Sequence, residues 1–192
     1  MCSSDLEQLN EENADNAEWQ RSLLVAHARL GDMLLKQQDR DGALAAHQAS
    51  LAITLRLAAS DPLNTGSQQD LLLSHVKVGD ALSANLDWPG ALAELHAAHA
   101  IAERLVEQDP TNSFWRNYLW SCYVKIGWTL RMHGDTAGAL ANYRAQLSAS
   151  TRLAAKFPEQ VEFLRQQQDS HTKIGECLSK QRDWDGAIAS YR

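Results

Sequence analysis

Apolar residues recur along the chain with the spacing of α-helices, in segments about twenty residues long. The first stripe, between about residues 17 and 37, consists of Leu23, Leu24, Ala26, Leu30, Met33 and Leu34. A second stripe consists of Ala43, Leu44, Leu51, Leu55 and Ala58. It ends at Asp61-Pro62, because the residue before a proline disfavours the helical conformation. Spacings of three and four place such residues on one helix face, so the pattern predicts two amphipathic helices joined by a short turn.

This pair of helices is repeated with a period of 48 residues and without gaps. The columns that keep one register are Gly31, Gly79, Gly127 and Gly175; Leu34, Leu82, Leu130 and Leu178; Asp39, Asp87, Asp135 and Asp183; the Gly-Ala pairs that begin at Gly42, Gly90, Gly138 and Gly186; and Pro62, Pro110 and Pro158. Periods of this size are typical of stacked helical arrays. The sequence therefore predicts an all-α fold of about four successive helix hairpins.

Repeated polar and small residues mark the ends and the contacts of these helices. Asp39 follows a polar tract and is expected to cap the second helix, because its carboxylate accepts hydrogen bonds from the exposed N–H groups of the first turn. Asn16, Asn64 and Asn112 occupy the same place before the first helices. A glycine within a helix costs about 1 kcal/mol relative to alanine. Its recurrence predicts a close helix contact, with Gly31 facing Ala43.

The register also predicts the domain organisation. Residues 16–63, 64–111 and 112–159 form three repeats, and residues 160–192 form a truncated fourth repeat. Leu9 is in phase with Leu57, Leu105 and Leu153, so residues 7–15 are expected to be the tail of a preceding repeat. Residues 1–6 resemble a translated sequencing-library adapter, the alternative being an ordinary terminus. The chain is expected to be a monomeric internal fragment of a longer array.

Charge and composition narrow the class of function. The formal net charge is -6, and an acidic chain is poor in the cations that neutralise a phosphate backbone, so nucleic acid is not an expected partner. No apolar run approaches the roughly 20 residues that span a bilayer, and no secretory signal is evident. Three cysteines without metal-ligand spacing favour reduced thiols. We expect a cytoplasmic protein that does not bind membranes.

Each repeat resembles the tetratricopeptide pattern. The matching segments are Leu30-Gly31-x-x-Leu34 with Ala43 and His47, Val78-Gly79-x-x-Leu82 with Ala91 and Leu95, Ile126-Gly127-x-x-Leu130 with Ala139 and Tyr143, and Ile174-Gly175-x-x-Leu178 with Ala187 and Tyr191. The usual family repeat has 34 residues, so this chain is similar to extended, bacterial-type members. His27, His75, Tyr123 and His171 stand where the family has tryptophan. The resemblance implies a right-handed α-solenoid of antiparallel helix hairpins, whose first helices line a concave, protein-binding surface.

The predicted groove carries two columns of charge. A basic column consists of Arg29, Lys77, Lys125 and Lys173, and an acidic column three residues later consists of Asp32, Asp80 and Glu176, with Trp128 in the third repeat. The candidate partner-binding residues are Lys77, Asp80, Lys125, Trp128, Arg131, Lys173 and Glu176. Trp128 is the preferred contact, since tryptophan is a frequent interface anchor. The alternative is a ladder of i,i+3 ion pairs that only solubilises the helices, each worth about 0.2–0.5 kcal/mol.

Other reactive side chains predict packing more than chemistry. His27, His75 and His171 lie at equivalent positions of separate helices, about 10 Å apart by ordinary helix packing, which is too far to share a metal ion. The aromatic residues between Phe114 and Tyr123 fall on several helix faces, and Cys122 and Cys177 are expected to be small buried residues. No phosphate loop, nucleophile elbow or nucleotide fingerprint occurs in the sequence. We therefore expect no cofactor, no metal site and no enzyme activity.

Two functions fit this pattern. The first is a protein–protein interaction scaffold that binds a peptide or helix of an unidentified partner on the concave face. The second is a sensor or autoinhibitory repeat arm of a larger bacterial signalling enzyme. The sequences that flank the array in the gene would distinguish the two.

Overall fold

The computed structural model describes residues 16–192, which divide into two compact units between Ile101 and Ala102. The predicted adapter segment and the predicted tail of a preceding repeat lie outside the described residues. Four first helices have 20 residues each: α1 Ala17–Lys36, α3 Thr65–Ala84, α5 Ser113–Met132 and α7 Val161–Lys180. Three second helices have 21 residues each: α2 Arg40–Ser60, α4 Trp88–Gln108 and α6 Thr136–Lys156. The last helix is α8 Trp184–Tyr191.

The predicted fold class is confirmed. Residues 16–192 contain helices and turns and no strand, and the first helices begin at positions 17, 65, 113 and 161, which keep the period of the sequence. Within the first unit, α1, α2 and α3 pack successively against one another, and within the second unit α5, α6, α7 and α8 do the same, as antiparallel hairpins. Among these residues, no helix combines the length and the apolarity that a membrane crossing requires.

The predicted helix caps are also confirmed. The carboxylates of Asp39, Asp87, Asp135 and Asp183 accept hydrogen bonds from the backbone N–H groups of Gly42, Gly90, Gly138 and Gly186. A Cβ atom at any of these glycines would overlap the capping carboxylate, which explains why glycine recurs there. Asn16, Asn64 and Asn112 cap the first helices, whereas Gln160 makes no side-chain cap bond at the start of α7.

The residue before each capping aspartate adopts a left-handed conformation that the sequence pattern did not indicate. The φ angles are 65° at Gln38, 63° at Leu86, 89° at Gly134 and 64° at Arg182. In the turn after α3, the Leu86 N–H donates to the Ser83 carbonyl and the Asp87 N–H donates to the Leu82 carbonyl. This Schellman arrangement satisfies carbonyls that the helix end leaves open. Only the third repeat has the glycine that suits this conformation.

The glycine column confirms a close helix contact and adds a closer partner to the predicted one. A Cβ atom at Gly31 would lie 2.5 Å from His47 Cε1, and one at Gly79 would lie 2.9 Å from Leu95 Cγ. Tyr143 covers Gly127 in the same way, and Tyr191 covers Gly175. The three atoms nearest to a Cβ atom at Gly31 belong to His47 and not to the predicted partner Ala43, but in the second repeat the carbonyl oxygen of the equivalent alanine, Ala91, would lie 3.4 Å from a Cβ atom at Gly79. The glycine accommodates the side chain one helical turn after that alanine, because a large residue of the second helix lies flat on the first.

Each unit has its own apolar core. In the first unit, Leu23, Leu24 and Ile53 form one cluster, and Leu51, Ala58, Leu71 and Val78 form another. In the second unit, the core cluster consists of Ala139, Leu140, Tyr143, Ile174, Cys177, Leu178 and Ala187. Cys122 and Cys177 are fully buried thiols, as the sequence predicted. The alanines and leucines of the repeated columns therefore build these cores.

The contact between Gly127 and Tyr143 predicts a change of sign in a double-mutant cycle. Gly127→Ala should lower the free energy of unfolding by about 1–3 kcal/mol, because the new methyl group overlaps the tyrosine ring. In the background of Tyr143→Ala, the same substitution should become neutral or stabilising, because alanine exceeds glycine in helix propensity by about 1 kcal/mol. Urea unfolding followed by circular dichroism measures all four corners. Equal effects of Gly127→Ala in both backgrounds would contradict the close-contact account.

The left-handed turn residues predict that Leu86→Gly stabilises the protein. Leu86 is 65% exposed, so its side chain contributes little packing, whereas its left-handed backbone is unfavourable for any residue with a Cβ atom. We expect a gain of about 0.5–1 kcal/mol in the free energy of unfolding. The reverse substitution at the equivalent position of the third repeat, Gly134→Leu, should lower the free energy of unfolding by a similar amount. A loss of stability in Leu86→Gly would show that the leucine side chain holds the turn.

Candidate functional site

On the first unit, an ion pair joins two successive first helices. Lys77 Nζ of α3 lies 2.6 Å from Asp32 Oδ1 of α1, and both side chains are more than two-fifths exposed. Surface ion pairs of this kind contribute about 0–1 kcal/mol. The pair therefore fixes the position of two predicted groove residues without accounting for the stability of the unit.

The same carboxylate also approaches the buried His47. Asp32 Oδ1 lies 3.7 Å from His47 Nε2, and the His47 side chain is fully buried. Neither ring nitrogen makes a hydrogen bond. Burial lowers the pKa of His47, whereas the charges of Asp32 and Asp80 raise it and that of Lys77 lowers it further. Because burial is the largest of these effects, the pKa of His47 is lowered overall, which favours a neutral imidazole beneath the charged surface.

On the second unit, Arg131 joins the surface to the core. Its guanidinium donates to Glu176 Oε2 at 2.6 Å, across from α5 to α7. It also hydrogen-bonds the hydroxyl of Tyr143, the residue that covers Gly127. Burial is the largest cause that raises the pKa of Tyr143, to about 12. The tyrosine thus remains neutral and helps to hold the guanidinium in place.

Trp128 lies on the same face of α5 as Arg131. Its side chain is 47% exposed, and Met132, one turn further on, is 51% exposed. Lys125, three residues earlier, is half-buried. The other aromatic residues of α5 behave as predicted: Trp115 and Tyr123 are buried, and Phe114 stacks with Tyr118 at a ring-centroid distance of 4.5 Å.

The predicted charge columns form contacts of two kinds. Lys173 and Glu176 on α7 form an i,i+3 pair at 3.7 Å, which is the ladder contact that the sequence suggested. The pairs of Lys77 with Asp32 and of Arg131 with Glu176 instead link one repeat to the next. The charges therefore cross-link neighbouring helices as well as solubilising them.

The sequence interpretation missed His47 and Tyr143 as buried residues that contact the charged side chains from below. Both belong to the column that follows the recurring alanine by four residues, where the second repeat has Leu95. The signal was a polar residue in a column that packs against glycine. The polar atoms of His47 and Tyr143 come close to the charged side chains because each ring extends across the glycine of the neighbouring first helix.

These features define an all-α protein of tandem helix hairpins, with ion pairs between successive first helices within each of its two units. Within residues 16–192, no three histidine, cysteine, aspartate or glutamate side chains come together as a metal-binding group. No protein-family model matches the chain, and no curated protein matches it.

Two solved structures that are similar to this chain are both of MamA. One is 15% identical with a TM-score of 0.40, covering 84% of this chain and 90% of that chain. The other is also 15% identical with a TM-score of 0.40, covering 88% of each chain.

The buried His47 predicts a pH dependence of stability. Because its pKa is lowered in the folded state, the unfolded state binds protons more strongly, and stability should fall as the pH drops below about 6.5. His47→Leu, which introduces the residue of the second repeat, should flatten this fall between about pH 7 and 5. Urea unfolding at several pH values measures the slope. Replacement of the exposed His96 is the control, and an unchanged slope in His47→Leu would contradict the assignment.

Proposed function

We propose that this chain is a protein-interaction scaffold of the tetratricopeptide type that binds a partner peptide or helix on the face of its first helices. The observation that carries the proposal is Trp128, a large apolar ring that is 47% exposed between charged groups. Tryptophan combines a large contact area with few rotatable bonds, which is why it dominates binding energy at interfaces.

The surroundings of Trp128 favour binding because they are already ordered. Arg131 is held by Glu176 and by the Tyr143 hydroxyl, and Lys173 contacts the same glutamate. Side chains that are fixed before association lose less conformational entropy when a partner arrives. The site would therefore bind as a preformed patch.

The charges around Trp128 indicate the chemistry of the peptide. Lys125, Arg131 and Lys173 supply positive charge on α5 and α7, and Glu176 supplies negative charge. A surplus of cations complements an acidic partner and raises the rate of encounter. We infer a peptide in which an apolar side chain is flanked by acidic residues. Lys77 and Asp80 remain candidate contacts on the sequence prediction alone.

Binding also fits the chemistry of the face better than catalysis does. Its charged side chains take part in ion pairs, and Trp128 offers neither a nucleophile nor a proton donor of useful pKa. A repeated surface provides equivalent contacts, which suits an extended partner.

Fluorine NMR tests the proposed contact. The chain is labelled with 5-fluorotryptophan, and the Trp128 resonance is assigned from the Trp128→Phe variant. Peptides with an apolar residue between acidic residues are selected from a random library and titrated in. We expect the Trp128 resonance to shift, and Trp128→Ala to weaken binding by tenfold or more, which corresponds to a loss of about 1.4 kcal/mol.

Trp184 provides the matched control. It is 61% exposed at the start of α8, and Trp184→Ala should leave peptide affinity unchanged. Failure to enrich any peptide of this class, or equal affinity of Trp128→Ala and the parent chain, would contradict the proposal.

A further inference from the structure

The second unit contains a cavity that is separate from the Trp128 face. Its volume is about 330 Å³, and it lies between the last turns of α4 and α6, with α5 beneath. Val106, Leu119, Ala149 and Leu153 form its apolar lining. Cavities of about 300–1,000 Å³ with apolar walls and a few polar groups are typical of small-molecule sites.

The cavity exists because one position departs from the repeat. Ala149 stands where the first and second repeats have Ile53 and Ile101. Ile53 packs in a cluster with Leu23, and Ile101 packs against the cluster that contains Leu71. In the third repeat, the equivalent leucine, Leu119, faces the smaller side chain of Ala149 and lines the open space.

A second departure lies in the same layer of the third repeat. Gln146 stands where the other repeats have Ser50 and Ala98, and it is 1% exposed. Neither atom of its amide group has a hydrogen-bond partner. It lines a small space that shares Leu119, Tyr123, Ala149 and Leu153 with the larger cavity. A buried amide without a partner is unfavourable, and it makes this layer polar where the repeat pattern would make it apolar or small.

Opposite charges line the two sides of the cavity. Glu103 and Glu107 lie one turn apart on α4, and Arg152 and Lys156 lie one turn apart on α6. The glutamates have no counterpart on α2, where the equivalent residues are Leu55 and Ala59.

Tyr123 lines the same cavity as these charged residues. Burial raises the pKa of Tyr123, the charge of Glu103 raises it further, and the charge of Arg152 lowers it. The charges of both walls therefore influence the hydroxyl group of Tyr123, which α5 contributes to the cavity.

We propose that this cavity binds a small zwitterion with an apolar body, of which a free aromatic amino acid is the simplest example. The ammonium group lies toward Glu103 and Glu107, and the carboxylate lies toward Arg152 and Lys156. The apolar side chain occupies the space beside Ala149. Charge complementarity on both walls selects a molecule that carries both signs of charge, and the apolar lining selects against a purely polar one.

Isothermal titration calorimetry of the whole chain with L-phenylalanine tests the assignment. Phenethylamine lacks the carboxylate and phenylpropionate lacks the ammonium group, so each should bind at least about tenfold more weakly than L-phenylalanine. Glycine, which has both charges and no apolar group, should not bind measurably. Equal affinity of phenethylamine or phenylpropionate would overturn the zwitterion assignment, and no heat of binding for L-phenylalanine would overturn the site.

Ala149→Ile places the residue of the other repeats in the cavity. It should abolish L-phenylalanine binding while the thermal unfolding transition is retained or raised, since the cavity is filled. Ala145→Ile, at an exposed position of the same helix, is the control for the change in helix propensity and should bind normally. Binding by Ala149→Ile at the parent affinity would overturn the location.

Two substitutions of exposed charged residues test the walls without altering the packing. Glu107→Gln and Lys156→Gln should each weaken L-phenylalanine binding. Glu107→Gln should reduce the difference in affinity between L-phenylalanine and phenylpropionate, and Lys156→Gln should reduce the difference in affinity between L-phenylalanine and phenethylamine. Parent affinity in both variants would overturn the orientation of the zwitterion. These substitutions keep the proposal testable even if Ala149→Ile fails to fold.

Discussion

The contact between a glycine of each first helix and a large side chain of the following second helix determines how the two helices pack. Interiors are close-packed, so a single added methyl group at this contact forces the neighbouring ring or the helix to move. The contact also determines what reaches the surface. Tyr143 covers Gly127 and hydrogen-bonds Arg131, whereas Leu95 covers Gly79 and offers no polar atom. One position of the second helix therefore links the packing of the hairpin to the order of the charged face.

Much of the fold could be predicted from the sequence because its information is repeated. Helix periodicity, the capping aspartates and asparagines, and the spacing of the helices all follow from local patterns, and the structure confirms them. The closest partner of the glycine column was not predicted, because periodicity places Ala43 on the right face but does not show how far the His47 ring extends. The left-handed turn at Leu86 was missed because leucine carries no local signal for it. Of the candidate site, Arg131 and Glu176 could be placed on one face from their spacing, but the link to Tyr143 depends on side-chain orientation.

Departures from the repeat mark the positions with the most specific chemistry. A column that is identical in every copy serves packing or capping, as the aspartates and glycines do. Trp128 interrupts an acidic column, and Ala149 interrupts a column that has isoleucine in the first two repeats. Both departures fall in the third repeat, one on the exposed face of α5 and the other at the base of a cavity. The regular columns provide the packing and the capping of each hairpin, and the irregular positions give one repeat properties that its neighbours lack.

The turn between the two helices of a hairpin has a consequence for how such a gene can change. Between α1 and α2, the N–H groups of Gln37, Gln38 and Asp39 all donate to carbonyls of the preceding helix. The Asp39 carboxylate then accepts from Gly42. An inserted or deleted codon would separate these paired roles, since the same aspartate ends one helix and starts the next. A change in the length of this connection would therefore disturb the end of one helix and the start of the next together, so we expect selection to favour copies in which its length stays the same.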